Sequence, residues 1–267
     1  MKHIIFTDLD LTIYPECKIM PENTIKYFND LSDQGNIVVL CTGRPYTGSL
    51  HIYNLFSNNL ILACDNGTRI LKPNDPTFKK ITAAIDMNEF NSVFSSIIDG
   101  VHMSLCIDEN NIYGYKLNNA PGWMFHTLPH TKIYDSENFA CLISEDISLI
   151  NLDVLESHNN KFLELIEKCK NIKCFSWGFR DGHYSYEIFS KEGDKSFAVK
   201  KISELYSNED IITYAFGDQL NDIPMIKEAD IGVAMINGSE IVKEAADFIT
   251  EYDCDNEGVI HFLKKRI

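Results

Sequence analysis

Ile4-Ile5-Phe6-Thr7-Asp8-Leu9-Asp10-Leu11-Thr12 is the stretch from which the fold can be read. Ile4-Ile5-Phe6 is a short apolar run closed by acidic residues, the pattern of a strand buried on both faces. Asp8 and Asp10 lie two apart. In extended chain such positions share a face, so both carboxylates should reach one point. At the carboxyl end of a strand in an open parallel sheet, that point is where ligands bind. Taken alone, the segment reads equally well as an acidic turn with an Asp capping a helix.

Working outward, strands and helices alternate. Pro21 opens a helical stretch through Leu31 that closes near Gly35, and Ile37 to Leu40 is a second buried strand. A helix is expected from Pro45 to Phe56 and a third strand over Leu60 to Ala63, ended by the turn Asp65-Asn66-Gly67. Such alternation implies parallel βαβ units.

The pattern changes from about Thr82 to Phe189. Helices are expected over Met87 to Ile98 and Asn160 to Lys170. Strands are expected over Val101 to Cys106, Asn111 to Lys116, Phe139 to Ile143, Lys173 to Trp177 and Tyr184 to Phe189. The βα alternation then returns, with helices over Ser196 to Tyr206, Asp222 to Glu228 and near Ser239 to Ala246. Strands are expected at Ile211 to Phe216, Ile231 to Val233 and Phe248 to Thr250. The fold class is therefore α/β: a Rossmann-like parallel-sheet core of residues 1–81 and 190–267, with an α+β cap of residues 82–189 inserted in it.

Three further motifs join the first. Thr42-Gly43-Arg44-Pro45 follows the second strand, and its hydroxyl and free N–H groups suit a phosphate oxygen, although a Thr N-cap with Pro behind it is also ordinary. Lys195 opens a helix, where the helix dipole disfavours a cation, and a single lysine is usually solvated. Gly217-Asp218-Gln219-Leu220-Asn221-Asp222 ends another strand with two carboxylates and an amide, which suit Mg²⁺ or a plain turn.

The ordered set Asp-x-Asp-x-Thr, Thr-Gly-Arg, Lys and Gly-Asp-x-x-Asn-Asp resembles the haloacid dehalogenase superfamily. The position of the insert, Asp65-Asn66-Gly67, Glu187-Ile188 and the segment from Gly232 to Asn237 resemble its Cof-type branch. The resemblance implies a phosphatase acting on a small phosphorylated metabolite. Asp8 would be the nucleophile and Asp10 the general acid and base. Mg²⁺ would be held by Asp8, the backbone carbonyl of Asp10 and Asp218. Thr42, Gly43, Lys195 and Asn221 would bind the phosphoryl group, and Asp222 would orient Lys195 or a metal-bound water. Asp10 would have to be held protonated for its first step. The cap would close over the site, and its candidate substrate contacts are Trp123, Phe125, His126, His130, Trp177, Arg180 and His183, the aromatics reading first as cap core. Leu11, Thr68 and Ser196 stand where many members carry Gly, Ala and Gly.

Composition narrows the partners. Of 267 residues, 45% are hydrophobic and 24% charged, which is ordinary for a soluble globular chain. A net charge of −15 argues against a nucleic-acid partner, which needs clustered Lys and Arg, but not against a small anion held by one cation in a cleft. The eight cysteines include no C-x-x-C pair and read as reduced thiols. No apolar run is long enough for a bilayer, so a cytoplasmic monomer or small homo-oligomer is expected. Two other readings share the motifs: a sugar phosphomutase using the same aspartyl-phosphate, and a non-enzymatic phospho-aspartate switch.

Overall fold

The computed structural model describes residues 2–56, 60–108, 111–121, 132–143 and 146–267. The chain divides into two compact units, Met1–Ile81 with Asp194–Ile267, and Thr82–Gly193.

In the first unit, β1 (Lys2–Thr7) is central. It pairs in parallel with β2 (Ile37–Cys41) on one side, through Ile4↔Ile37 to Thr7↔Leu40. On the other side lies β12 (Ile211–Gly217), from Lys2↔Ile211 to Thr7↔Phe216. Outward from β2 come β3 (Ile61–Cys64), β4 (Arg69–Leu71) and β5 (Ile81–Thr82). Outward from β12 come β13 (Ile231–Ala234) and β14 (Phe248–Ile249). Because β1 to β3 run one way across the sheet and β12 to β14 the other, the order reverses between β1 and β12. That crevice is the topological switch point of an open α/β sheet. All pairings from β3 to β14 are parallel, and β3 to β4 is an antiparallel hairpin.

Every residue of Ile37-Val38-Val39-Leu40-Cys41 is buried, as a parallel strand covered on both faces requires. Thr24, Phe28 and Leu31 make the buried stripe of α1 (Glu22–Asp33), and Gly35, with φ of +90°, turns the chain after it. Helix α2 (Tyr46–Tyr53) adds Ile52 and Tyr53 to the same core, and Phe262 and Leu263 of α8 (Gly258–Leu263) complete it. Helix α5 (Lys195–Leu205) buries Phe197, Ala198, Val199 and Ile202, and α6 (Ile223–Glu228) buries Met225 and Ile226.

The second unit is a six-stranded sheet in the order β10-β11-β9-β6-β7-β8, where β6 is Val101–Ile107, β7 Asn111–Tyr115, β8 Lys132–Asp135, β9 Ile150–Leu155, β10 Ile172–Arg180 and β11 His183–Ser190. Its pairings are antiparallel apart from β7 with β8. Asp181 and Gly182, both with positive φ, form the two-residue turn between β10 and β11. Helices α3 (Met87–Ile97) and α4 (Glu156–Lys168) supply Phe90, Phe94 and Phe162 to the core. Asp86 caps α3 by accepting from the N–H groups of Asn88 and Glu89.

Two expectations need correcting. Phe139–Leu142 is a short 3-10 turn, not a strand; it follows the turn at Ser136, whose carbonyl accepts from Phe139 N, and it buries Phe139 and Ala140. Trp177 is 66% exposed and so is not core. Trp123, Phe125, His126 and His130 lie outside the described residues. Among the described residues, no helix is long and apolar enough to cross a membrane. All eight cysteines are free thiols.

Phe94 lies 5.4 to 5.7 Å, ring centre to ring centre, from Phe90, Tyr115 and Phe139. Phe94→Ala should lower unfolding stability by about 3–5 kcal/mol, measured by urea denaturation.

Candidate active site

The carboxyl ends of β3, β2, β1 and β12 carry the turn at Asp65, then Thr42, Asp8 and Asp218. These four strands are neighbours, so residues far apart in the chain end at one sheet edge. Asp8 stays on the sheet because its N–H donates to Phe216 O of β12 at 2.9 Å.

At the centre is Lys195, fully buried at the first position of α5. Its Nζ donates to Asp8 Oδ1 at 2.5 Å and to Asp222 Oδ1. An ammonium so placed is no solvated surface lysine. Burial alone would strip its proton, but Asp222 and Asp8 outweigh that and hold its pKa above the usual lysine range. The other oxygen of Asp222 accepts from the N–H groups of Asp218 and Gln219, both at 2.9 Å, which fixes the loop that carries Asp218. Asp218 accepts from Thr12 Oγ1 and Gln219 Nε2, both at 3.1 Å.

Two glycines let the backbones approach. A Cβ on Gly67 would sit 2.9 Å from Lys195 Cα, and a Cβ on Gly217 would sit 2.3 Å from Asp222 Cβ. Gly67 also has φ of +77°, the left-handed region that glycine tolerates.

One oxygen each from Asp8, Asp218 and Asp222 lies within 4.8 Å of the others, and all three residues are buried. An all-oxygen, anionic donor set suits a hard divalent cation. Asp222 accepts from the Lys195 ammonium and from backbone N–H groups that it holds in place, whereas the donors to Asp218 are the neutral side chains of Thr12 and Gln219, which makes Asp218 the better placed of the two to share a cation with Asp8. The crowding shows in the proton affinities. Burial, helped by Asp222 and Asp218 and opposed by Lys195, pushes Asp8 up to about 8. Burial and then Asp222 raise Asp218 to about 6.

Asp10 is elsewhere. Its carboxylate accepts from Arg44 Nε and Nη2, both at 2.6 Å, and from Lys18 Nζ at 2.9 Å. The shared face expected for Asp8 and Asp10 needs extended chain, but β1 ends at Thr7 and the chain bends at Leu9. The carbonyl of Leu9 takes the N–H groups of Thr12, Ile13 and Tyr14. Nor is Asp10 held protonated. Burial would raise its pKa, yet hydrogen bonds from Arg44 and Lys18 prevail and lower it below the ordinary carboxylate value.

Around the phosphate-binding candidates, Thr42 is buried and its Oγ1 accepts from Arg44 N at 3.1 Å. Asn221 Nδ2 donates to Asn66 Oδ1 at 2.9 Å, and the bare α-carbon of Gly43 faces both amides: a Cβ there would lie 3.2 Å from one and 3.3 Å from the other. Asn66, Thr12, Arg44 and Lys18 were not among the expected site residues. Three of them sit inside or beside quoted motifs, which was the available signal. Lys18 carried none. In the second unit, Arg180 is exposed at the hairpin turn, and His183 stacks on His102 with ring centres 4.4 Å apart and lies 3.4 Å from Asp153.

The chain is similar to known proteins along almost its whole length. The profile of the haloacid dehalogenase-like hydrolases matches residues 5–263. A 5-amino-6-(5-phospho-D-ribitylamino)uracil phosphatase of Bacillus subtilis is 26% identical, over 98% of this chain and 97% of its own. A haloacid dehalogenase-like hydrolase of Bacteroides thetaiotaomicron superposes with a TM-score of 0.75 at 22% identity, covering 100% of both chains. A subclass IIB sugar phosphatase does so with a TM-score of 0.69 at 22% identity, covering 99% of this chain and 98% of the other, which establishes a shared fold.

Two outcomes follow from the geometry. Gly67→Ala should cost on the order of 2 kcal/mol in stability and displace Lys195, weakening divalent-cation binding measured by calorimetry. The raised acids set a pH dependence for the metal-free chain. Above the unfolded carboxylate value of 3.8, the folded state keeps protons that the unfolded state has released. Stability therefore falls as pH rises, through about 6 for Asp218 and about 8 for Asp8. Asp10, lowered, contributes only below that window, and Lys195, raised, only above it. Thermal melts in EDTA should show this decline between those limits, and added Mg²⁺ should flatten it by keeping both carboxylates ionised.

Proposed function

The chain belongs to the haloacid dehalogenase-like hydrolase family as a phosphoric monoester hydrolase, and on that footing we propose that it cleaves a small phosphorylated metabolite through an aspartyl-phosphate on Asp8, with Mg²⁺ as its metal. The observation that carries this reading is the buried Lys195 paired at once with Asp8 and Asp222, beside Asp218.

A phosphate monoester and an attacking carboxylate repel. Two unit charges 4 Å apart cost about 4 kcal/mol at an effective dielectric near 20. When bound, Mg²⁺ would neutralise the nucleophile and a phosphoryl oxygen. Asp8, Asp218 and the backbone carbonyl of Asp10 would hold it. Lys195 adds a fixed positive charge against Asp8 and needs no reorganisation to do so. Thr42, the backbone at Gly43, and Asn221 would hold the other phosphoryl oxygens. Asp222 keeps Lys195 and the Asp218 loop in place.

A carboxylate oxygen of Asp8 attacks phosphorus while the bond from phosphorus to the leaving oxygen breaks, and Asp10 gives that oxygen a proton. Water then attacks the phosphoryl group, Asp10 takes the proton, and the bond to Asp8 breaks to release inorganic phosphate. Asp8 directly follows the first strand and a second aspartate, Asp10, stands two places on, and these two features favour this over a switch without turnover. The Bacillus subtilis relative acts on a phosphorylated ribityl compound, so polyol and sugar phosphates head the substrate classes to be screened.

Asp8→Asn should lower Mg²⁺-dependent release of phosphate from para-nitrophenyl phosphate by about three orders of magnitude or more. Near wild-type turnover by that variant would remove Asp8 as nucleophile. Conversion of a sugar phosphate to its isomer, without free phosphate, would favour the mutase instead.

A further inference from the structure

Asp10 sits in a fork of cations that the proposed mechanism does not use. Arg44 grips both of its oxygens, through Nε at 2.6 Å and Nη2 at 2.6 Å, and Lys18 Nζ holds Oδ1 again at 2.9 Å. Each cation is itself anchored. Arg44 Nη1 donates to Gly48 O at 3.2 Å, and its guanidinium lies 5.4 Å from the centre of the Tyr14 ring. Lys18 Nζ lies 5.4 Å from the same ring centre, and Tyr14 Oη donates to Lys18 O at 2.9 Å. The loop bearing Asp10 is braced too. The backbone of Asp10 bridges to Tyr14, Leu11 N donates to Tyr14 O at 2.9 Å, and Asn237 Nδ2 donates to Leu11 O at 2.8 Å. With backbone and cations both held, the movable part is the Asp10 side chain.

A carboxyl group in this fork is turned toward cations and is badly placed to act as an acid. Three N–H donors point at its two oxygens, whereas an acid must present its own O–H to the leaving oxygen. We propose that Arg44 and Lys18 are positioning residues that park the Asp10 carboxylate between turnovers, so that the acid step begins with rotation of Asp10 off this pair. This rests on the reading of Asp10 as general acid and adds a step to it. The pair is half exposed, Arg44 at 25% and Lys18 at 53%, so parking holds Asp10 without trapping it.

The test compares two substrates that differ in their need for a proton. Phenyl phosphate has a poor leaving group that needs the acid, and para-nitrophenyl phosphate has a good one that does not. Weakening the fork by Lys18→Gln or Arg44→Gln should raise the ratio of kcat/KM for phenyl over para-nitrophenyl phosphate by about threefold to tenfold, the scale of one partly exposed charge pair. Asp10→Asn should lower the same ratio. A ratio that stays level or falls in the fork variants overturns parking, because the cations then either do nothing or hold Asp10 in its working place. A second measurement does not depend on the variants. In a crystal of the wild-type chain with Mg²⁺ and orthovanadate at Asp8, the Asp10 carboxylate should have left Arg44, and a bridge still closed there overturns the proposal. A wild-type enzyme that releases phosphate from neither substrate would instead bring down the phosphatase reading itself, and parking with it.

Discussion

An ammonium with no exposure to solvent, that of Lys195, is shared by the carboxylates of Asp8 and Asp222, and the rest of the site is arranged around it. Taking an ion out of water costs several kcal/mol even after relaxation, and only close, well-directed partners offset that cost. Here the partners come from different places: one ends β1, one lies in the turn after β12, and the lysine opens α5. One charge thus locks three segments together. The lock propagates, since the second oxygen of Asp222 ties down the backbone at Asp218 and Gln219. A buried ion pair of this kind is a weak device for stability, because apolar groups of the same volume often do as well. Its presence is better explained by the chemistry it permits than by the fold it holds.

The sheet supplies the second constraint. Parallel strands end at one edge, and the order reversal between β1 and β12 leaves a crevice there between outward-running connections. Asp8 and Asp218 follow the two strands that flank the reversal, and Thr42 and the turn at Asp65 follow the next two. The glycines answer the crowding this causes. Gly67 lets its turn lie against the backbone of Lys195, and Gly217 makes room for Asp222. Sequence positions that look like turn punctuation are places where two backbones come within side-chain distance.

Much of this was legible. Apolar runs such as Ile37 to Leu40 mark buried strands, and the ordered motifs say which strand ends meet. The full burial of Lys195 was not legible, because nothing local distinguishes it from an exposed helix-start lysine. The placement of Asp10 was not legible either. It depends on a bend at Leu9, on Leu11 and Lys18 adopting φ near +60°, and on Arg44 reaching back from the next strand end. Leu11 takes the conformation that glycine favours, so the loop keeps its shape through Tyr14 and Asn237 rather than through a permissive residue. In the second unit, β9 alternates Ile150, Leu152 and Val154 with Asn151 and Asp153, a period-two signal by which this strand is legible in the sequence. Phe139 misled in the opposite sense, since an aromatic, apolar segment can also plug a core from a turn.

The two aspartates of the opening motif show how far environment overrides residue type. They are two positions apart and chemically identical. Asp8 is buried among carboxylates with one cation, and its proton is hard to remove. Asp10 faces two cations at a half-exposed position, and its proton is easily lost. In the resting chain each is thus biased against the state its proposed task needs, an ionised nucleophile and a protonated acid. A bound divalent cation would reverse the first bias, because it replaces the proton as the positive charge on Asp8. Leaving the fork would reverse the second, because Asp10 then loses the charges that keep it ionised.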